Sequence, residues 1–288
     1  MRGKNFWIKL ALGAIFIWLV AGWLAPYFSG AKVVHPIWLT LGRLELHWYG
    51  LLMSIAVLLG FFIVLRLNQH FAKLDPDAIF YTLAATVFGG FVGARLLFII
   101  LEWPTYSQQL SEIWQTHHGG MSIHGAIIGG AVTLWLSTRY FFKINGWRVA
   151  DLIAIALPIG QAIGRFGNFF NQEAFGGPTN LPWKMFVAPA FRPAGMTQFS
   201  FFHPAFLYEA VGDLLIAGLL WWALTTKYPK AGIIAFWYLI LYSSWRFVVE
   251  WWRIDSVHLG GLTLAQWGCL IIIAIAIWLI NIRRKYAD

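Results

Sequence analysis

Charge and cysteine are what this sequence has least of. Charged residues fill 11% of its 288 positions, against about a quarter in an ordinary soluble domain. A chain so poor in charge does not present a water-facing surface throughout, which excludes a soluble globular enzyme. The single cysteine, Cys269, excludes an intrachain disulfide and a cysteine zinc site, and leaves the redox compartment unread. No soluble domain fits between the apolar runs. No internal repeat links the two halves, which argues against a secondary transporter built on paired broken helices. What the chain has instead is 59% hydrophobic residues, with 18 Trp and 24 Phe. Aromatics in that number suit lipid-facing and interfacial positions. The net charge of +9 points superficially to nucleic acid. The basic residues sit in short clusters between apolar runs, so the expected partner is a lipid bilayer and not a nucleic acid.

The apolar runs are 6–25, 48–66, 78–101, 122–142, 150–170, 204–225, 231–250 and 263–282. Each is close to the ~20 residues a helix needs to cross ~30 Å of hydrocarbon. The expected fold is therefore all-α, a polytopic transmembrane helical bundle of about eight spans. With the N-terminus inside, the inner connections carry Arg2, Lys4, Lys9, then Arg66, Lys73, then Arg139, Lys143, Arg148, then Lys227, Lys230, then Arg283, Arg284, Lys285, thirteen of the 21 basic residues. The outer connection 102–121 has none. The positive-inside rule then places both termini in the cytoplasm. A seven-span form remains open if the first run is a cleaved signal. Ala21-Gly22-Trp23-Leu24-Ala25-Pro26 is a poor small-x-small cleavage site, and the run is long for a signal core, so an uncleaved anchor is expected.

Charges inside apolar runs cost at least a few kcal/mol unless paired or hydrated, which makes them functional candidates. Tyr242, Arg246, Glu250 and Arg253 are spaced four, four and three apart, one polar stripe on a helix. Arg246 and Glu250 can simply neutralise each other. The second arginine leaves an excess of positive charge on the stripe, which suits a phosphate or carboxylate ligand. Gly164-Arg165-Phe166-Gly167-Asn168-Phe169-Phe170-Asn171-Gln172-Glu173 ends another run, and its spacing lets a guanidinium and two amides share a face. Interhelical amide bonding is the structural alternative there. His124 opens the run at 122–142 among glycines, as a base, a donor, a ligand or an interfacial cap. His117, His118 and His124 lack a carboxylate or cysteine at metal-ligand spacing, so no metal is expected.

These segments carry a resemblance. Gly164–Glu173 resembles the signature G-R-x-G-N-F-x-N-x-E of the prolipoprotein diacylglyceryl transferase family. In order along the chain, it is supported by Leu46-His47-Trp48-Tyr49-Gly50, Ser122-Ile123-His124-Gly125, Gly176–Trp183, His203-Pro204-Ala205-Phe206-Leu207-Tyr208-Glu209, and Arg246-Phe247-x-x-Glu250-x-x-Arg253. The resemblance covers about 35–282, leaving 1–34 as an N-terminal extension with an extra anchor and 35–288 as the transmembrane transferase domain, with 171–203 as an extracytoplasmic loop. The chain departs from the pattern at Ala126, at Ala205, at Phe202, where a basic residue often stands, and at Gln172, where many relatives have glycine.

The resemblance implies a bacterial plasma-membrane enzyme that moves the diacylglyceryl group of phosphatidylglycerol to the lipobox cysteine thiol of a prolipoprotein, with glycerol 1-phosphate leaving and no cofactor. It implies an active site toward the outer side. Such chemistry needs a cation clamp on phosphate and help in deprotonating a thiol of pKa near 8.5. Arg165 and Arg246 are the expected clamp. Tyr49, Asn168 and Asn171 are expected at the head group, along with Gly176. His124 is the candidate base, with Tyr242 the second. Glu173 and Glu250 are expected to orient the arginines, and Glu209 and Asp151 to serve helix packing. Cys269, within the last run, is not expected to react.

Overall fold

A computed structural model of the chain describes residue 13 and residues 18–115 and 119–286. The chain is mostly helical. Helix α1 is described over 18–28, so most of the expected first span, with Arg2, Lys4 and Lys9, lies outside the described residues. A hairpin of β1 (Ile37–Leu41) and β2 (Leu44–His47) leads into α2 (Trp48–Leu67), which continues as a π turn to Ala72. Then come α3 (Pro76–Leu101), the short α4 (Trp103–Tyr106), α5 (Ile123–Leu136) with a π turn to Phe141, and α6 (Gly146–Phe170). Strands β3 (Met185–Phe186) and β4 (Phe201–Phe202) pair within the long connection. After α7 (Ala205–Lys227) and α8 (Ile233–Val249), a small hairpin of β5 (His258–Leu259) and β6 (Leu262–Thr263) precedes α9 (Leu264–Tyr286).

Six described helical segments are long and apolar enough to cross a membrane: Trp48–Ala72, Pro76–Leu101, Gly146–Phe170, Ala205–Lys227, Ile233–Trp252 and Leu264–Arg283. They match six of the eight runs within a few residues. They also leave large apolar side chains outside, such as Leu58 and Phe88, each 70% exposed. Apolar faces of that extent need a lipid solvent.

By contacts the chain divides into two units. The first comprises the chain through Val57, Pro158–Leu219 and the chain from Trp237 onward. Its core is aromatic: Phe169, Phe170, Phe175, Phe202 and Phe206 gather with Met185 and Val187. Phe169 stacks on Phe206 at 4.9 Å, and Trp48 on Phe170 at 4.6 Å. Leu24 and Val34 are buried in the same cluster, so the N-terminal extension packs into this core. The chain reverses after α6 with Gln172 and Ala174 at positive φ, 49° and 55°. Glycine adopts such values freely, and a glutamine at 172 does so at a cost. Here the Gln172 side chain is buried, and its Oε1 accepts from the Ala188 amide at 2.8 Å.

The second unit comprises Leu58–Leu157 and Leu220–Phe236. Helices α3 and α5 meet backbone to backbone. A Cβ built on Gly93 would stand 2.4 Å from the Gly125 carbonyl oxygen, and one on Gly125 2.3 Å from that of Gly93. Only glycine permits that approach. Beside it, buried Arg95 donates to the carbonyls of Glu112, Ile113, Gln115, Gly119 and Gly120, at 2.6–3.2 Å. This clamp delivers the chain to Ser122, whose hydroxyl caps α5 by accepting from the Gly125 amide. Asp151 caps α8 in the same unit, accepting from the Gly232 and Ala235 amides at 2.7 and 2.9 Å. Its helix-packing role is thus visible.

Candidate functional site

The charged stripe on α8 survives only in part. The α-helix ends at Val249, Glu250–Trp252 form a 3-10 turn, and Arg253 is extended. The turn is anchored by the long connection. Gly177 N donates to Trp252 O, and Gly176 N to the His203 carbonyl, each at 2.9 Å. Gly176 allows this closeness, since a Cβ there would meet Trp252 O at 2.6 Å. Gly176 also forms a β-bridge with Arg253.

Three arginines then converge on one carboxylate. Glu209, 3% exposed on α7, pairs with Arg165 from the end of α6, with Arg253 at 3.4 Å, and more loosely with Arg246 at 3.9 Å. Arg246 Nη2 lies 2.6 Å from Glu250 Oε2, a charge contact without hydrogen-bond alignment. Glu250 Oε1 accepts from the Ser256 hydroxyl. Arg253 grips Asp255 with two parallel bonds, Nε to Oδ1 at 3.0 Å and Nη2 to Oδ2 at 2.6 Å. Burial works against the Asp255 charge, and the Arg253 fork more than offsets it, holding this carboxyl below its ordinary range.

Two expectations are corrected here. The positive excess expected on the α8 stripe is absent, because Glu209 and Asp255 answer Arg253 while Glu250 answers Arg246. Glu209 is not packing material but the hub of the network. Its signal in the sequence is an acid inside an apolar run of a chain that also carries arginines in such runs. One donor in the network remains unspent: Arg246 Nη1 is buried with no hydrogen-bond partner among the described residues.

The other candidates group as follows. Glu173 Oε1 accepts from the Asn168 amide at 2.9 Å and the Asn171 amide at 3.2 Å. It therefore orients amides and not arginines, correcting the expected role. Tyr49 packs on the same helix end, where a Cβ on Gly167 would stand 2.6 Å from its ring. Tyr242 lies on α8, stacked on Tyr238 at 5.7 Å and within electrostatic reach of Arg165, Glu209 and Arg246. His124 belongs to the second unit, exposed in the first turn of α5. His117 and His118 lie outside the described residues. Cys269 is buried within α9.

Beside this network, Trp183 Nε1 donates to the Tyr208 hydroxyl at 2.8 Å, and that hydroxyl meets His203 Nδ1 at 3.1 Å. The Tyr208 hydroxyl therefore ties the Trp183 indole and the His203 ring together. Burial pulls the His203 pKa below the ordinary histidine value.

The family model for prolipoprotein diacylglyceryl transferase matches residues 36–282. The chain belongs to the prolipoprotein diacylglyceryl transferase family. It is 42% identical over 256 residues to a protein of Acaryochloris marina, covering 86% of this chain and 91% of that protein. It is 41% identical over 262 residues to one of Synechococcus elongatus, covering 88% and 90%. It is 36% identical over 260 residues to one of Fervidobacterium nodosum, covering 88% and 87%. All three are named phosphatidylglycerol–prolipoprotein diacylglyceryl transferase. The matched region contains every member of the arginine network and begins after α1.

Proposed function

We propose that this chain transfers the diacylglyceryl group from phosphatidylglycerol to the lipobox cysteine thiol of prolipoproteins, releasing glycerol 1-phosphate. The observation that carries this reading is the arginine hub, three guanidiniums held by carboxylates with the Arg246 Nη1 donor unspent. A guanidinium fork matches a phosphate as well as it matches a carboxylate. Arg165 and Arg246 bind the phosphodiester and stabilise the second charge that the phosphate gains as it leaves. Glu209 and Glu250 hold the forks in place beforehand, which keeps reorganisation small during reaction. Asn168, Asn171 and Tyr49 face the glycerol head group, with Glu173 fixing the two amides. The thiol, with a pKa near 8.5, must lose its proton, and His124 and Tyr242 are the two groups offered for that step.

In this reading the protein spans the bacterial plasma membrane eight times, with both termini cytoplasmic and the site toward the outer side. Residues 1–34 add an anchor to a transferase domain over 35–288. The spacing of basic residues along the chain supports this: Arg66, Lys73, Arg139, Lys143, Arg148, Lys227 and Lys230 fall at connections assigned inside, and the connection 102–121 has no Lys or Arg. The functional test is direct. Membranes carrying the protein are incubated with phosphatidylglycerol and a lipobox peptide bearing Cys or Ser. Glycerol phosphate release with the Cys peptide alone is expected. Equal release with both, or none with either, would overturn the assignment.

A further inference from the structure

Two acids of the network hold their arginines differently. Asp255 meets Arg253 with both oxygens, Oδ1 to Nε at 3.0 Å and Oδ2 to Nη2 at 2.6 Å. Glu250 meets Arg246 with one. Its Oε2 lies 2.6 Å from Nη2, while its Oε1 accepts from the Ser256 hydroxyl. The consequence is visible on the arginine. Arg246 Nη1 is buried without a hydrogen-bond partner among the described residues, and Glu209 Oε1 stands 3.9 Å from it. An unmade bond on a buried guanidinium is costly and calls for a reason.

Ser256 is held where it can act on Glu250. On one side, Asp255 is tied back to Arg253 at the end of the 3-10 turn. On the other, the Val257 carbonyl accepts from the Leu264 amide at 2.9 Å, where α9 begins. Trp267 Nε1 on α9 donates to the Leu259 carbonyl at 3.0 Å and fastens the β5–β6 hairpin. Gln266, 2% exposed on α9, donates from Nε2 to the Phe247 carbonyl at 3.3 Å, beside Arg246. Helix α9 thus steadies both ends of the contact, the hydroxyl through the hairpin and the arginine's stretch of α8 through Gln266. A serine hydroxyl suits the place chemically. It has one proton to give and carries no charge, so it occupies one carboxylate oxygen without displacing Arg246 from the other.

We propose that Ser256 is a positioning residue for the substrate phosphate: by occupying Glu250 Oε1 it limits Glu250 to a one-oxygen hold on Arg246 and keeps Arg246 Nη1 open for a phosphate oxygen of the lipid head group. This rests on the transfer reaction proposed above. Without the Ser256 hydroxyl, Glu250 Oε1 loses its donor in a buried place, and the guanidinium that Glu250 already touches has an unspent one. The pair then closes into the two-bond fork that Asp255 makes with Arg253. The phosphate has to compete for a donor that was open to it. Ser256 touches no reacting atom and acts through Glu250 alone.

The test uses the full-length protein in membranes with phosphatidylglycerol and the Cys peptide, measuring kcat, KM for phosphatidylglycerol and Tm. Ser256→Ala is expected to raise that KM roughly tenfold, the worth of one hydrogen bond to a charged group. Ser256→Thr keeps a hydroxyl and is expected to return KM to the wild-type value. In a Glu250→Gln background, Ser256→Ala is expected to add nothing to KM, because no carboxylate remains to close on Arg246. A double-mutant cycle of this kind isolates the coupling between the two residues. A wild-type KM in Ser256→Ala would overturn the proposal, whether or not Tm falls, since a merely structural contact moves Tm alone. The same tenfold rise in the Glu250→Gln background would overturn it too. If that background turns over too slowly to assay, Ser256→Thr decides: a restored KM supports the role and a raised one overturns it. Absence of glycerol phosphate release in the wild type itself would instead sink the transferase reading.

Discussion

Arg95 and Arg246 both sit in apolar helices, and they are held in opposite ways. Arg95 gives its donors to five backbone carbonyls of one connection. Those acceptors are uncharged, fixed by the chain, and lost only if the loop unfolds. Arg246, with Arg165 and Arg253, leans on carboxylates and keeps one donor free. An anion held by an arginine fork is a partner that another anion can replace or share. Burial of an arginine therefore says little about its role; the chemistry of its partner says more. The carbonyl-bound arginine builds structure, and in the proposed mechanism the carboxylate-bound set takes the phosphate.

That contrast breaks most visibly at the exchangeable set. Arg165→Ala and Arg246→Ala are each expected to reduce transfer by roughly 100-fold or more, with normal membrane insertion, as read by lipidation of the Cys peptide. Wild-type transfer by either would leave the clamp without support. Glu209→Gln comes next. Removing one partner of a buried ion pair costs about 3–5 kcal/mol, and here three guanidiniums lose their shared anchor. A lower Tm together with a fall in kcat/KM is expected, and a change in Tm alone would make Glu209 a structural residue. Arg95→Gln should show the opposite pattern. Its orphaned carbonyls each cost about 1 kcal/mol or more, so Tm falls while KM for phosphatidylglycerol in the folded fraction stays put. A raised KM would erase the distinction between the two sets.

The smallest effect is expected at His203. Its pKa is lowered in the fold, so the unfolded chain binds the proton first as pH falls. The stabilisation is present above the ordinary histidine pKa and is lost on acidification. Wild-type Tm should therefore drop between about pH 8 and about pH 5 by more than that of His203→Gln. Equal drops would mean that burial does not hold the ring neutral.

Much of the fold was legible because hydrophobic length in a bilayer is a strong constraint. Six runs became spans within a few residues of the expected bounds. The members of the arginine network were legible as charges in the wrong place. Their pairing was not. Glu209 is separated from Arg165 by 44 positions and from Arg246 by 37, and no helical periodicity links residues on three different helices. The local pattern of α8 suggested a continuous stripe to Arg253, which the 3-10 turn at Glu250–Trp252 ends. The Asn168–Glu173 and Asn171–Glu173 bonds depend on the left-handed turn at Gln172, and that turn was hidden by a glutamine where glycine would have announced it.

The decisive measurement is glycerol phosphate release from phosphatidylglycerol by Arg246→Lys beside the wild type, in the same membranes and with the same Cys peptide. Lysine keeps the positive charge and removes the fork. If Arg246 holds the phosphate through its fork, release by this variant falls to roughly a hundredth of the wild-type rate or below. Release at the wild-type rate would show that charge alone suffices, and would contradict the clamp.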